Sequence, residues 1–186
     1  LEFGNSCMGF EIPAGLGIRM AKQNGEVYVF VGDGTYLMQP SELVTSIQEG
    51  LKITVLISQN QGFQIIRRLQ MDRAGISFGN EFRKRDSKVN RLEGDYLKID
   101  FVKNAESMGV KAWSAKNPDE MREALKKARE ETCSCAIVIE TEKHRYGLDS
   151  EVWWDVAAAE VSNDKETQQA RVKFEAEKAN LQRFYF

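Results

Sequence analysis

Apolar residues along the chain fall into short uninterrupted runs, separated by segments with helical spacing. The runs "EVYVFVGDG" (26–34) and "KITVLIS" (52–58) have the pattern of strands that are buried on both faces of a sheet. Two later runs, "VKAWSA" (110–115) and "CSCAIVIET" (133–141), predict further strands. Helices are predicted at 6–25, from Pro40 onwards, at 100–109 and at 117–131.

This alternation of strands and helices predicts an α/β fold: a doubly wound parallel sheet with helices on both faces. Crossover connections in such sheets are right-handed, so the carboxyl ends of the strands meet at one edge, where ligands bind. Gly15 and Gly17 in the first helix imply close backbone packing, because glycine otherwise weakens a helix by up to ~1 kcal/mol.

The segment 67–96 interrupts the alternation, since it is polar and irregular. Two interpretations stay open for it: a solvated loop, or a mobile loop that becomes ordered over a ligand. It carries a crowded basic group, formed by Arg83, Lys84, Arg85, Lys88 and Arg91. His144, the only histidine, is predicted to be a polar loop residue after the last strand, and the charged tail 164–186 predicts a surface helix.

The composition and net charge of the chain give no indication of a nucleic-acid or membrane partner. The chain has 186 residues, 42% of them hydrophobic and 29% charged, which is ordinary for a globular protein. A net charge of −2 gives no reason to expect nucleic acid or an anionic membrane, and no apolar run approaches the ~20 residues of a membrane span. Three cysteines without a secretory signal favour reduced thiols and a cytoplasmic location. The start, Leu1-Glu2-Phe3, suggests a piece of a longer protein.

Residues that could bind a metal ion and a phosphate lie at the ends of the first two predicted strands. Asp33 lies between Gly32 and Gly34, and after 25 further residues Asn60 begins the sequence Asn-Gln-Gly. Carboxylate and amide oxygens suit Mg²⁺ or Ca²⁺ and not zinc, and the carbonyl of Gly62 could add a third ligand. The glycines would let the backbone approach a phosphate. Taken singly, each motif is also typical of a tight turn.

The two motifs at this spacing resemble the cofactor motif of thiamine-diphosphate enzymes, in the branch that includes acetolactate synthase and pyruvate decarboxylase. The segments "CMGFEIPAGLGIRMA" and "AIVIET" resemble the beginning and end of the diphosphate-binding domain of that family. The resemblance implies thiamine diphosphate and Mg²⁺ as cofactors. It implies Asp33, Asn60 and the Gly62 carbonyl as metal ligands, and as cofactor-binding residues it implies Ser6, Met8, Gly32, Gly34, Thr35 and Gly62.

The roles that the resemblance gives to the cofactor residues differ. Met8 would hold the cofactor in its bent shape, the carbonyl of Ser6 would accept a hydrogen bond from the aminopyrimidine, and Gly32, Gly34 and Thr35 would face the diphosphate.

The diphosphate-binding domain that the resemblance implies would cover residues 1–150, followed by a C-terminal extension at 151–186. The family's catalytic glutamate belongs to an N-terminal pyrimidine-binding domain of a partner subunit, which is absent here together with the middle domain. The chain alone is therefore expected to be inactive, and the full-length protein to be a homo-oligomer.

Within that family, "FGNEFRKRD" (78–86) and "EVWWDVAAAEVS" (151–162) resemble the hydrolases of inositol catabolism. Those enzymes open a polyhydroxylated cyclic dione, trihydroxycyclohexane-1,2-dione, to 5-deoxyglucuronate. Trp153 and Trp154 would be core or interface aromatics. The alternatives are a 2-oxoacid decarboxylase or carboligase, and a non-catalytic phosphate- or nucleotide-binding domain. The second alternative is weakened because "GDGTYLMQP" has no phosphate-loop lysine.

Overall fold

A computed structural model describes residues 7–145 and 157–181. These residues form two compact units, one of residues 7–63 and 96–143, the other of residues 64–95, 144–145 and 157–181. The elements in chain order are α1 (Glu11–Ala21), β1 (Tyr28–Gly32), α2 (Asp33–Met38), α3 (Glu42–Gln48), β2 (Thr54–Gln59), α4 (Gln64–Ala74), α5 (Phe101–Glu106), β3 (Lys111–Ala115), α6 (Pro118–Glu130), β4 (Cys135–Glu140) and α7 (Lys165–Leu181).

The first unit contains a four-stranded parallel sheet in the order β1-β2-β4-β3, which confirms the predicted fold class. On one face α6 packs over a core made by alternate residues of the strands, among them Leu56 and Ile137. On the other face α1 packs against β1, where a Cβ on Gly15 would come within 2.3 Å of Val29. Gly15 thus has the close packing that its position in a helix implies, whereas Gly17 has open space around it.

The burial of β1 differs from the prediction. Val29 and Val31 are buried, but Phe30 is 72% exposed and Tyr28 36% exposed. Phe30 pairs in register with Leu56, so it lies on the face that α6 covers. Because α6 contacts β3 and β4, at the opposite edge of the sheet, it leaves this face of β1 uncovered in the described chain. The prediction of a strand buried on both faces is therefore wrong for β1.

The second unit contains a helix at the start of the predicted irregular segment, whereas residues 75–96 form no helix or strand. Residues 64–74 form α4, which packs against α7. A turned-back segment follows, in which the N–H of Lys84 donates to the carbonyl of Asp95 and the N–H of Asp86 donates to that of Arg91. The prediction of an irregular segment at 67–96 is therefore wrong over α4, while the predicted tail helix is present as α7. In the part of the chain that the structure describes, no helix is both long enough and apolar enough to cross a bilayer.

Candidate functional site

The ends of β1 and β2 bring the two glycine-containing motifs together. Gly32 is the last residue of β1 and pairs in register with Ser58, two residues before Asn60. Asp33 follows as the first residue of α2, and its side chain has no solvent exposure. A short connection after β2 then passes the same point, with Gln61 in a left-handed conformation (φ 69°). The chain thus folds the second motif directly over the carboxylate of the first.

Backbone N–H groups surround the carboxylate of Asp33. Its Oδ1 accepts hydrogen bonds from the N–H of Gly34 at 2.8 Å and of Gly62 at 3.2 Å. Its Oδ2 accepts from the N–H of Asn60 at 3.0 Å and of Gln61 at 2.6 Å. Three of the four donors belong to the connection after β2. One side chain therefore fixes both motifs, and it holds their carbonyl and amide groups around a common centre.

Burial sets the ionisation of this carboxyl group. Loss of solvation is the largest influence and raises the pKa of Asp33 above its ordinary value of 3.8, and the four backbone N–H groups act in the opposite direction. A cation placed beside Oδ1 would favour the ionised form for the same reason that the N–H donors do. The ionised form of Asp33 is therefore less favourable in the folded chain without a cation than it would be in water.

The carboxamide of Asn60 completes a cluster of polar atoms. One of its terminal atoms lies 3.0 Å from the carbonyl oxygen of Gly62 and 3.3 Å from Oδ1 of Asp33. With the amide nitrogen at this position, the amide donates hydrogen bonds to both oxygens. If the amide turned over, three oxygens of three different groups would converge, which is favourable only with a cation between them. A carboxylate, an amide oxygen and a carbonyl are the ligand types that Mg²⁺ takes from proteins.

This ligand chemistry differs from that of metals that prefer sulfur or imidazole, such as zinc. Within residues 7–145 and 157–181, no group of three or more His, Cys, Asp or Glu side chains is placed to hold a metal. The cluster contains a single carboxylate and neither sulfur nor imidazole, so it suits a hard cation that also takes oxygens from a second ligand. The residues present therefore fit a magnesium ion shared with a phosphate group.

The two glycines that flank Asp33 have different surroundings. A Cβ on Gly34 would lie 2.7 Å from the ring of Phe63, so the fold itself requires glycine there. A Cβ on Gly32 would meet nothing within 4 Å, and its φ of −75° is open to any residue. The fold leaves free space beside Gly32, which is space that a phosphate could occupy. Thr35, the next predicted residue, is partly buried in the first turn of α2.

Met8 lies apart from the oxygen cluster. It is 38% exposed, in a turn that precedes α1, where the N–H of Gly9 donates to Glu11. A Cβ on Gly9 would lie 3.6 Å from Met38, the last residue of α2. That contact places the turn at the opposite end of α2 from Asp33, about 8 Å along the helix axis. Ser6, Trp153 and Trp154 lie outside the described residues.

Gln61 is a participant that the sequence analysis missed. Its N–H makes the shortest of the four hydrogen bonds to Asp33, at 2.6 Å. Its side-chain Oε1 is buried and has no hydrogen-bond partner within the described part of the chain. The only signal in the sequence was its position between Asn60 and Gly62, in a pattern that predicts a turn but does not say where the N–H groups of the turn point.

Comparison with known proteins shows the family to which the chain is related. Residues 1–139 match the family model described as "Thiamine pyrophosphate enzyme, C-terminal TPP binding domain". A 3D-(3,5/4)-trihydroxycyclohexane-1,2-dione hydrolase of Bacillus cereus is 43% identical over 183 residues, which are 98% of this chain and 28% of the relative. The corresponding hydrolase of Clostridium tetani is 42% identical over 91% of this chain and 26% of the relative.

The chain thus spans little more than a quarter of the length of the curated relatives it matches. Among solved structures, a thiamine diphosphate-dependent 4-hydroxybenzoylformate decarboxylase of Rhodococcus jostii superposes with a TM-score of 0.61 at 23% identity, over 73% of this chain and 23% of that one. A benzoylformate decarboxylase of Polynucleobacter necessarius superposes with a TM-score of 0.63 at 19% identity, over 76% and 25%. At these identities the two likenesses show the fold alone.

Proposed function

The chain belongs to the thiamine pyrophosphate (thiamine diphosphate) enzymes, as their C-terminal cofactor-binding domain, and from this premise we propose that it holds Mg²⁺ and the cofactor diphosphate for a longer enzyme that hydrolyses a carbon–carbon bond. The observation that carries the cofactor part is the convergence of Asp33, Asn60 and the Gly62 carbonyl at one point. This convergence is seen in the structure itself and does not depend on sequence identity to the relatives.

Each residue of the site has a defined task in this proposal. Asp33, Asn60 and the Gly62 carbonyl would hold Mg²⁺. Gly32, Gly34 and Thr35 would face the diphosphate, with the open space beside Gly32 available to it. Ser6 and Met8 would contact the rest of the cofactor. When bound, the cofactor supplies a carbon nucleophile and an electron sink for cleavage of the bond. The chain's own contribution is to orient the cofactor and to hold the Mg²⁺ that would neutralise its phosphate charge.

The substrate part of the proposal comes from the relatives, which are named for hydrolysis of trihydroxycyclohexane-1,2-dione. We propose the same substrate, opened to 5-deoxyglucuronate in inositol catabolism, for a cytoplasmic homo-oligomer. The catalytic glutamate would come from the pyrimidine-binding domain of a partner subunit. The division into a diphosphate domain at 1–150 and an extension at 151–186 stays a prediction, as does the inactivity of the chain alone.

Two other functions remain as alternatives in the proposal. A 2-oxoacid decarboxylase or carboligase would use the same cofactor site on a different substrate. A phosphate- or nucleotide-binding domain without catalysis would need a different phosphate loop, and the segment after Asp33 has no lysine for it. Ligand preference separates this second alternative from the cofactor proposal.

Binding is tested first on the 186-residue chain, by thermal unfolding and calorimetric titration. Thiamine diphosphate with Mg²⁺ is expected to raise the unfolding temperature, whereas ATP with Mg²⁺ is not. If ATP with Mg²⁺ stabilised the chain and thiamine diphosphate with Mg²⁺ did not, the result would favour the nucleotide-binding alternative and contradict the cofactor proposal. Mg²⁺ replaced by EDTA serves as the control, since the oxygen cluster requires the cation for its effect.

Turnover is tested on the longer protein that contains this chain, loaded with both cofactors. It is offered trihydroxycyclohexane-1,2-dione and pyruvate in parallel, with ring opening and CO₂ release followed. Ring opening without CO₂ is the expected result. Release of CO₂ from pyruvate with the dione untouched would keep the cofactor site and contradict the substrate.

A further inference from the structure

The second unit contains a polar cavity of about 410 Å³ that the cofactor site does not use. Its size lies within the range of small-ligand pockets in proteins. Its lining is rich in planar or hydroxylated side chains that form hydrogen bonds. These are Arg67, Ser77, Asn80, Glu81, Arg83 and Arg91.

Glu81 is the centre of this lining. Its side chain is only 10% exposed, and it pairs with three basic groups. Nε of Arg67 lies 3.4 Å from its Oε2, Nε of Arg83 donates to the same oxygen at 3.2 Å, and Nε2 of His144 lies 3.1 Å from its Oε1. Two of these partners come from α4 and from the segment after it, while His144 comes from the far end of the sequence. Such a network holds a carboxylate in one orientation at the wall of the cavity.

Other contacts hold part of the cavity wall in place. Nη1 of Arg83 donates to the carbonyl of Gly94 at 3.2 Å, and its Nε donates to Glu81, so two of the three guanidinium nitrogens are held by hydrogen bonds. The cavity is therefore lined by side chains whose positions are set by other contacts, which lowers the cost of ordering them around a ligand.

The charges of the lining favour a neutral ligand over an anion. Arg67 and Arg83 share Glu81, and Arg91 lies 3.5 Å from Glu93. The three guanidinium groups thus lie beside two carboxylates of the same cavity, so a phosphate would gain less there than at a cluster of arginines without carboxylates. A ring that carries hydroxyl and carbonyl groups has no charge to compensate. Its hydroxyls can donate to a carboxylate, and its oxygens can accept from guanidinium forks.

We propose that this cavity binds a polyhydroxylated ring compound, with Glu81 accepting hydrogen bonds from ring hydroxyls and with Arg67 and Arg83 donating to ring oxygens. His144 acts as a positioning residue, because it orients Glu81 and does not itself line the cavity. The inference rests on the proposed function, in which the substrate is such a ring, and it adds a place in the second unit that holds a compound of that class.

The test uses the 186-residue chain and myo-inositol, a stable cyclic hexol, as the probe. Binding is followed by NMR titration of the Arg67 and Arg83 side-chain signals, with inorganic phosphate in a second series. The hexol is expected to bind and phosphate is not. Glu81→Gln is expected to weaken hexol binding by at least about tenfold, because a charged acceptor is lost and amide N–H groups then face the guanidinium groups. Glu123→Gln, on the exposed side of α6, is the matched control and is expected to bind as the wild type does.

Each result has a defined meaning. Absence of hexol binding, preferential binding of phosphate, or equal binding by wild type and Glu81→Gln would overturn the inference. Should Glu81→Gln unfold, Arg83→Lys decides, since it keeps the positive charge but loses the fork; a loss of binding in this folded variant is expected, and unchanged binding would contradict the inference. Thiamine diphosphate with Mg²⁺ is titrated into the same samples. Failure of that titration counts against the proposed function, whereas failure of the hexol alone counts only against the cavity.

Discussion

The backbone of Gly34 lies directly against the ring of Phe63, so that a Cβ on Gly34 would stand 2.7 Å from both Cδ1 and Cε1 of the ring. Phe63 directly follows Gly62, one of the three residues in the oxygen cluster. The contact therefore joins the first turn of α2 to the connection after β2. Gly32, on the other side of Asp33, has no such neighbour.

Alanine at these two glycines is expected to separate a requirement of the fold from a requirement of the ligand. Gly34→Ala should lower the free energy of unfolding by about 1–3 kcal/mol, since the added methyl group must displace an aromatic ring. Gly32→Ala should change it by less than ~1 kcal/mol, because alanine adopts the same backbone conformation and loses less entropy on folding but is a poorer N-cap of α2. Urea unfolding without cofactor measures both.

The same pair of variants then tests the diphosphate proposal. Gly32→Ala is expected to weaken the binding of thiamine diphosphate and Mg²⁺ although it is as stable as the wild type. Unchanged affinity in this variant would mean that the space beside Gly32 does not receive the phosphate.

Asp33 and Asn60 should respond differently to truncation. Asp33→Ala leaves four backbone N–H groups without their acceptor, so the chain is expected to lose at least ~3 kcal/mol of stability as well as Mg²⁺ binding. Asn60→Ala removes one carboxamide and should cost about 1 kcal/mol or less, yet it should weaken Mg²⁺-dependent cofactor binding at least about tenfold. Unfolding and calorimetry on the two variants measure the difference.

Asn60→Ala is the more informative of the two variants, because its fold is expected to persist. A folded Asn60→Ala chain that binds cofactor and Mg²⁺ as the wild type does would remove Asn60 from the metal site. Retained binding in Asp33→Ala would contradict the whole assignment.

The sequence predicted the parts of this structure that depend on local pattern. Four apolar runs correspond to the four strands, and the helix predicted at 117–131 is present as α6, which Asn117 caps by accepting from the N–H groups of Asp119 and Glu120. The meeting of Asp33 with Asn60 followed from parallel pairing alone, since adjacent parallel strands end at the same edge.

Other features depend on which elements cover which surfaces, and no local pattern contains that information. Phe30 has the apolar neighbours of a buried strand residue, but the helix that covers its face of the sheet lies over the opposite edge. The three N–H donors to Asp33 from the connection after β2 depend on the φ of Gln61 and Gly62, which a turn motif leaves open. Glu81 and His144 are 63 residues apart, so their pairing appears only in the folded chain.

Asp33 should give the metal-free chain a distinctive dependence of stability on pH. Because burial raises its pKa above 3.8, the folded chain keeps the proton at pH values at which the unfolded chain has lost it. The contribution of neutral Asp33 to stability is therefore complete below pH 3.8 and is lost as the pH rises through its folded pKa, with a slope of at most about 1.4 kcal/mol per pH unit. The free energy of unfolding is measured against pH for the wild type and for Asp33→Asn. The difference between the two curves isolates the contribution of Asp33 from those of the other carboxyl groups.

Mg²⁺ should change this pH dependence, because it binds the ionised carboxylate and competes with the proton. In the presence of the cation the loss of stability is expected to diminish, with the apparent pKa of Asp33 moving down. A difference curve that Mg²⁺ leaves unaltered would show that the cation does not contact Asp33.

Met8 offers a test of the cofactor site that does not disturb the fold. Its side chain is 38% exposed in the turn before α1 and is not part of the buried core, so Met8→Ala is expected to change the free energy of unfolding by no more than about 0.5 kcal/mol. The proposal gives Met8 the task of holding the bound cofactor in its bent shape, at a distance from the groups that hold the diphosphate. In the longer protein, Met8→Ala should therefore lower kcat more than it lowers cofactor affinity. Ile18→Ala, a comparably exposed apolar position on α1, serves as the control and should alter neither. Equal losses of kcat and of affinity in Met8→Ala would argue against this role, because they would indicate a general contribution to binding.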